Sequence, residues 1–230
     1  QAPPGAPDDL LVIGRGPGST AAPALGYPIP RLDVVEITPA VERASKLFVG
    51  STRADDARCR TVIADARQYL TYTDMKYDVI ISEPSQPVAQ QTSSLFTTDF
   101  LRFVRAHLTE QGTYCQWLPV ALTTERDRLM IIKSVLSVFP NSHVWLTRSP
   151  SGEAIDMVIV AINGDQPVDP AGVANRVSDA TGGEFRFELL AEPATASALV
   201  ADPTLPLNTD DRPFLEFSAP RLHVRNLTGP

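Results

Sequence analysis

Three glycines set directly behind a run of four apolar residues constrain this chain more than any other feature. Leu10, Leu11, Val12 and Ile13 lead without a break into Gly14, Gly16 and Gly18. A continuous apolar run reads as a strand buried on both faces of a parallel sheet. Glycines at its end let the backbone take positive φ and come close to a ligand. Glu36 strengthens the reading, because it stands near the end of the next apolar segment, residues 32–37 (LDVVEI), 22 positions after Gly14. A carboxylate about 20 residues beyond such a turn, at the tip of the second strand, is placed to accept ribose hydroxyls. Position 19 is Ser, so the spacing is G-x-G-x-G and not the G-x-G-x-x-G of a dinucleotide site. The pattern therefore favours a nucleoside ligand over one that carries a pyrophosphate.

Composition closes off other classes. The net charge is −7 and no basic stripe offers to neutralise phosphates, which argues against nucleic acid as a partner. Acidity is compatible with cationic substrates. Cys59 and Cys115 stand far apart with no C-x-x-C, and His107, His143 and His223 have no ligand spacing, so neither a metal nor a disulfide framework is indicated. Reduced cysteines lean toward a cytoplasmic setting. No apolar run approaches the ~20 residues of a membrane span. Residues 1–9 (QAPPGAPDD) read as a Pro-rich linker, and no signal peptide is expected.

In chain order, Pro23 makes the first helix, at 19–25, short or irregular. Thr38 and Pro39 open a second at 40–48, with Val41, Ala44 and Phe48 on its core face. A third strand at 60–64 ends at Asp65, which is placed either to cap the helix that follows or to reach an adenine amino group. Residues 77–82 (YDVIIS) form strand four and run into Glu83, a carboxylate where a general base is wanted. A polar loop at 88–94 precedes a helix at 98–108, and 112–117 is strand five, with Gln116 near its end. Leu129, Ile132, Leu136 and Phe139 mark one face of a helix at 125–139. Residues 143–147 and 155–162 then read as a hairpin. This rhythm predicts a doubly wound α/β domain over 10–162 with a mostly parallel seven-stranded sheet and one antiparallel edge strand. From 163 to 230 a C-terminal extension is expected to pack on the same domain. It contains a helix at 170–181, alternating Phe185 and Phe187, and the acidic stretch Asp210-Asp211-Arg212. That stretch is either a solvated turn with a local ion pair or a carboxylate cluster over the ligand mouth.

These landmarks together resemble the spermidine/spermine synthase family of aminopropyltransferases. The resemblance is carried by residues 14–19, Val35-Glu36-Ile37, Ala64-Asp65-Ala66, residues 77–87 with Leu95-Phe96-Thr97, and residues 114–117. Residues 208–217 and the S-E-P-S-x-P run at 82–87 are similar to a bacterial branch in which this domain follows a membrane-embedded region. The resemblance implies a class I methyltransferase-like Rossmann fold and a role in polyamine biosynthesis. It implies decarboxylated S-adenosylmethionine as co-substrate, with no metal. Gly14, Gly16 and Gly18 would hold its methionine-derived part, Glu36 its ribose, and Asp65 with Ala66 its adenine. Glu83 would take the proton from the attacking amine. Gln86 and Gln116 would lie at the polyamine, with Asp210 or Asp211 supplying the charge that Gln86 lacks. The family also carries an N-terminal β-rich region with substrate and oligomer contacts, which this chain is expected to begin after; a homodimer is the associated expectation.

Two other readings stay open on the residues alone. One is a methyltransferase using intact S-adenosylmethionine, for which Arg15 in the glycine loop is the candidate to meet the carboxylate. The other is a nucleoside-binding domain of a membrane protein without turnover.

Overall fold

A computed structural model describes residues 7–48, 56–84, 90–218 and 220. Its eight strands are β1 (Asp9–Ile13), β2 (Arg31–Glu36), β3 (Cys59–Ile63), β4 (Tyr77–Ser82), β5 (Leu108–Pro119), β6 (Ser142–Arg148), β7 (Ala154–Ile162) and β8 (Arg186–Ala191). They form one sheet in the order β3-β2-β1-β4-β5-β7-β6-β8. Strands β1 to β5 are mutually parallel, whereas β7 runs antiparallel to both β5 and β6, and β8 antiparallel to β6. After β3 the chain returns to place β4 beside β1, so the order reverses there. In an open α/β sheet that reversal opens a crevice at the carboxyl ends of the strands.

The sheet is thus mixed α/β with an antiparallel edge, as expected, but among the described residues it has eight strands and not seven. The added edge strand is β8. Phe187 lies flat on Trp145, ring centroids 4.7 Å apart, and Trp145 is 1% exposed. A stacked cross-strand aromatic pair of this kind stabilises a sheet edge and accounts for the alternation read at 185–187.

The helices are α1 (Ala21–Ala24), α2 (Pro39–Ser45), α3 (Ala66–Tyr72), α4 (Gln90–Ser93), α5 (Thr98–His107), α6 (Glu125–Val138), α7 (Pro170–Ala180) and α8 (Pro193–Leu199). The polar loop expected at 88–94 is helical from residue 90 on: α4 is followed by a 3₁₀ turn over Ser94–Phe96 that buries Leu95 and Phe96. The expected core face of α2 is also corrected. Phe48 is exposed and Ser45 is the buried residue, because its hydroxyl accepts a hydrogen bond from Arg15. On α6 the buried stripe is Ile131, Ile132, Val135 and Val138, with Leu129 and Leu136 at its margin.

Successive residues of β1 point to opposite faces. Leu11 and Ile13 join the larger core with Ile80, Tyr114 and the inner sides of α5 and α6. Leu10 and Val12 join a smaller one with Leu32, Val34 and the residues around α1. Asn208 ties the C-terminal segment down: fully buried, it donates to the Phe96 carbonyl at 3.1 Å and accepts from the Leu215 N–H at 3.3 Å.

Asp33, 0% exposed in β2, accepts hydrogen bonds from Arg31, Arg60, Tyr69 and Tyr77. Burial raises its pKa, but the four bonds together outweigh burial and hold the carboxyl below its ordinary value. A depressed carboxyl pKa contributes stability above the unfolded-state value, near 3.9, and loses it as pH falls through the folded value. Asp33→Asn is therefore expected to cost about 3 kcal/mol at neutral pH. In urea melts at a series of pH values the gap between variant and parent should narrow below about pH 3.9. A constant gap would mean that ionisation of Asp33 plays no part.

Candidate active site

Gly14, Gly16 and Gly18 all adopt left-handed backbone, with φ of 90°, 49° and 89°. At Gly14 space is the second reason for glycine. A Cβ there would lie 2.7 Å from the Glu83 carbonyl oxygen. The Gly14 N–H donates to the Val35 carbonyl at 2.8 Å, and the Glu83 N–H to the Ile13 carbonyl at 3.0 Å. The ends of β1, β2 and β4 are thereby locked together, and Glu83 is fixed against the glycine turn.

Beside this turn lies a cavity of about 290 Å³ whose lining includes Gly14, Glu36, Ile37, Asp65, Ala66 and Pro84. Glu36 is oriented by two backbone donors: Oε2 accepts from Arg15 N–H at 3.0 Å and Oε1 from Thr38 N–H at 2.8 Å. Each oxygen keeps a further lone pair, the requirement for holding adjacent ribose hydroxyls. Asp65 caps α3 through Oδ1, which accepts from the Arg67 and Gln68 N–H groups. That leaves Oδ2 for a second partner, so capping and base recognition are compatible. Ile37, 46% exposed, adds an apolar wall suited to a nucleobase face. It was hidden in the sequence as the last residue of an apolar segment.

Glu83 is half-buried one residue beyond β4. Burial pushes its pKa up; the Thr20 hydroxyl, which donates to Oε2, opposes this, and the negative charge of Asp156 adds to it. Thr20 stands at the N-cap of α1 but makes no cap bond with its side chain, being turned to Glu83 instead. A carboxylate with raised proton affinity, held between two residues that line the cavity, Gly14 through its turn and Pro84 in sequence, is equipped to take a proton.

With this geometry in hand the comparisons are informative. The family model for the spermine/spermidine synthase domain matches residues 4–167. The chain belongs to that family. The polyamine aminopropyltransferase of Sulfolobus acidocaldarius is 27% identical over 191 residues, covering 79% of this chain and 62% of the relative. That of Prochlorococcus marinus is 36% identical over 147 residues, covering 62% of this chain and 52% of the relative. The chain thus spans between half and two thirds of the length of these relatives. Among solved structures, a spermidine synthase in complex with the transition state analogue AdoDATO aligns at TM-score 0.64 and 22% identity, covering 96% of this chain and 69% of that one. Human methyltransferase-like protein 13 in complex with SAH aligns at TM-score 0.58 and 20% identity, covering 86% of this chain and 84% of that one. Both alignments establish the methyltransferase-like Rossmann fold.

Within the family frame, the described residues expected at the acceptor have other partners inside the protein or face solvent. Gln116 is fully buried, and its amide is engaged inside the protein: Oε1 accepts from the Tyr114 hydroxyl, and Nε2 donates to the Ser82 and Trp117 carbonyls at 3.3 and 3.1 Å. It braces the end of β4, next to Glu83, and its acceptor oxygen is engaged by Tyr114 and shielded from an amine. Asp210 is paired with Arg67 and accepts from the Thr97 hydroxyl at 2.7 Å; burial raises its pKa, but these partners outweigh burial and hold it low. Its charge is paired with Arg67 of α3 and it does not line the cavity, and Asp211 is solvent-exposed. Gln86 lies outside the described residues. Arg15 also departs from its expected role. It is 6% exposed and turned from the cavity, donating through Nε to Ser45 at 2.8 Å and through Nη1 to Thr61 at 2.7 Å. The Glu42 carboxylate lies 2.7 Å from Nε and balances its charge. Among the described residues no group of three or more His, Cys, Asp or Glu side chains could hold a metal, and no helix is long and apolar enough to cross a membrane.

Proposed function

We propose that this chain transfers an aminopropyl group from decarboxylated S-adenosylmethionine to a polyamine acceptor. The observation that carries the reading is Glu83, a half-buried carboxylate of raised proton affinity, fixed by the Gly14 turn beside the nucleoside cavity. Glu36 would hold the ribose, Asp65 and Ala66 the adenine, and the backbone of Gly14, Gly16 and Gly18 the aminopropyl arm. The donor supplies an electrophilic carbon next to a sulfonium, with a thioether as leaving group. The residues of this chain need only align the amine with that carbon and accept its proton. An alkylamine has a pKa near that of Lys, about 10.4, so it reaches the site protonated and needs such an acceptor. Arg15 favours the decarboxylated donor: its charge is balanced by Glu42, and it is turned from the cavity where intact S-adenosylmethionine would place a carboxylate. We infer that residues 10–162 form the catalytic unit, with 163–230 packed on it. The 82–87 and 208–217 runs support attachment to a membrane-embedded region in the full-length protein, and association of two copies belongs to the same reading.

Calorimetric titration with decarboxylated S-adenosylmethionine, S-adenosylmethionine and methylthioadenosine tests this, followed by turnover with a diamine. The decarboxylated form is expected to bind at least about tenfold tighter than the intact one, the equivalent of one unpaired charged hydrogen bond. Preference for the intact form would replace aminopropyl with methyl transfer, and binding without turnover would leave a nucleoside-binding module. Glu36→Gln is expected to weaken all three ligands by about ten- to hundredfold, because each carries the same ribose. Unchanged affinities would remove Glu36 from the site.

A further inference from the structure

A second half-buried carboxylate stands at the carboxyl end of the sheet. Asp156 lies in β7, which the topology inserts between β5 and β6, so that it borders the carboxyl end of β5. It pairs with Pro119, and register therefore puts its side chain on the same sheet face as Trp117 and Cys115. Glu83 addresses that face too, since its charge acts on the Cys115 thiol, which burial first and Glu83 second push up to about 12. Glu83 follows β4 and Asp156 belongs to β7, two strand spacings away, or about 10 Å across the sheet. The side chains narrow this gap enough for Asp156 to act on Glu83.

Trp117 stands between them, half-buried on the strand that separates β4 from β7, and its side chain opposes the rise that burial gives the Asp156 carboxyl. Among the described residues, no Lys, Arg or His contributes to the surroundings of either carboxylate. Two half-buried acids that repel one another without a protein cation form a poor resting arrangement and a good receptor for a ligand with positive charge at both ends. An aromatic side chain between them suits the methylenes that join those charges.

We propose that Asp156 anchors the distal ammonium of a diamine acceptor whose reacting nitrogen is presented to Glu83. This rests on the aminopropyl-transfer reading and deepens it, since it makes Asp156 the residue that separates diamines from monoamines. Gln86 has no charge to offer and Asp210 is neutralised by Arg67, so Asp156 fills the role expected of them.

The test compares 1,4-diaminobutane with n-butylamine by calorimetry on the protein loaded with methylthioadenosine, and by transfer rate with the decarboxylated donor. The parent protein should favour the diamine by about tenfold or more, and Asp156→Asn should bring the ratio close to one by weakening the diamine alone. Asp156→Glu, which keeps the charge, should retain most of the preference and shows that the position tolerates change. A variant that keeps the parent's ratio, or that loses both amines equally, overturns the role of Asp156. Transfer by the parent with an unchanged ratio in Asp156→Asn would remove Asp156 alone. A parent that neither binds nor uses either amine would remove the transferase reading and this inference with it.

Discussion

Glu83→Gln is expected to lower the aminopropyl-transfer rate by about 10²–10⁴-fold while leaving methylthioadenosine affinity within about twofold of the parent. The amide keeps the size of the side chain and an oxygen to accept from Thr20, so the geometry of the turn survives. What it removes is the ability to take a proton. Because burial and Asp156 hold the Glu83 carboxyl above its ordinary value, the acid limb of kcat/KM should fall at higher pH than for an exposed glutamate. Asp156→Asn should move that limb down, by deleting the neighbouring charge. Stability should move the other way. A carboxyl whose folded pKa is raised is less favourable when ionised, so the fold loses stability as pH rises through that value. Glu83→Gln should therefore be more stable than the parent at pH 8, and the advantage should vanish below the unfolded value of about 4.3. A variant that is both slow and less stable at pH 8 would point to a structural role for Glu83.

The cavity-lining part of the candidate site was legible because its signals are local. An apolar run with glycines behind it, a carboxylate one strand later and an aspartate opening a helix each need only a few neighbouring residues to be understood. The placing of the other candidate residues was not, and the reasons differ by residue. Arg15 sits in the glycine loop, but its direction is decided by Glu42, Ser45 and Thr61, on α2 and β3. Gln116 was visible as a strand-end amide. Its engagement depends on the pairing of Ser82 with Gln116 across β4 and β5, which a strand pattern does not reveal. Asp156 was hidden twice. It reads as one polar position in a strand, and its closeness to Glu83 follows only from β7 lying next to β5. Strand β8 escaped for a related cause, since its partner β6 lies nearly 40 positions earlier in the chain.

Gly14→Ala is expected to be the most damaging single-methyl change in the glycine turn, costing about 2–4 kcal/mol. Two effects add. The backbone at φ 90° is one that residues with a Cβ rarely adopt, and the new methyl would meet the Glu83 carbonyl oxygen at 2.7 Å. Relief is limited, because that oxygen is backbone and the residue that carries it is anchored through its own N–H to the Ile13 carbonyl. Gly16→Ala and Gly18→Ala provide the comparison. Both positions share the left-handed backbone but open into space, so each should cost only the conformational part, about 1–2 kcal/mol. Urea denaturation of the three variants measures the difference, and equal losses would mean that the Gly14–Glu83 contact contributes nothing. The same contact joins the cavity to the proposed base. A Gly14→Ala protein that folds must do so by pushing the Glu83 backbone away, which carries the carboxylate from the line of attack. Its transfer rate should then fall further than its affinity for methylthioadenosine, whereas Gly16→Ala and Gly18→Ala should lower the two together.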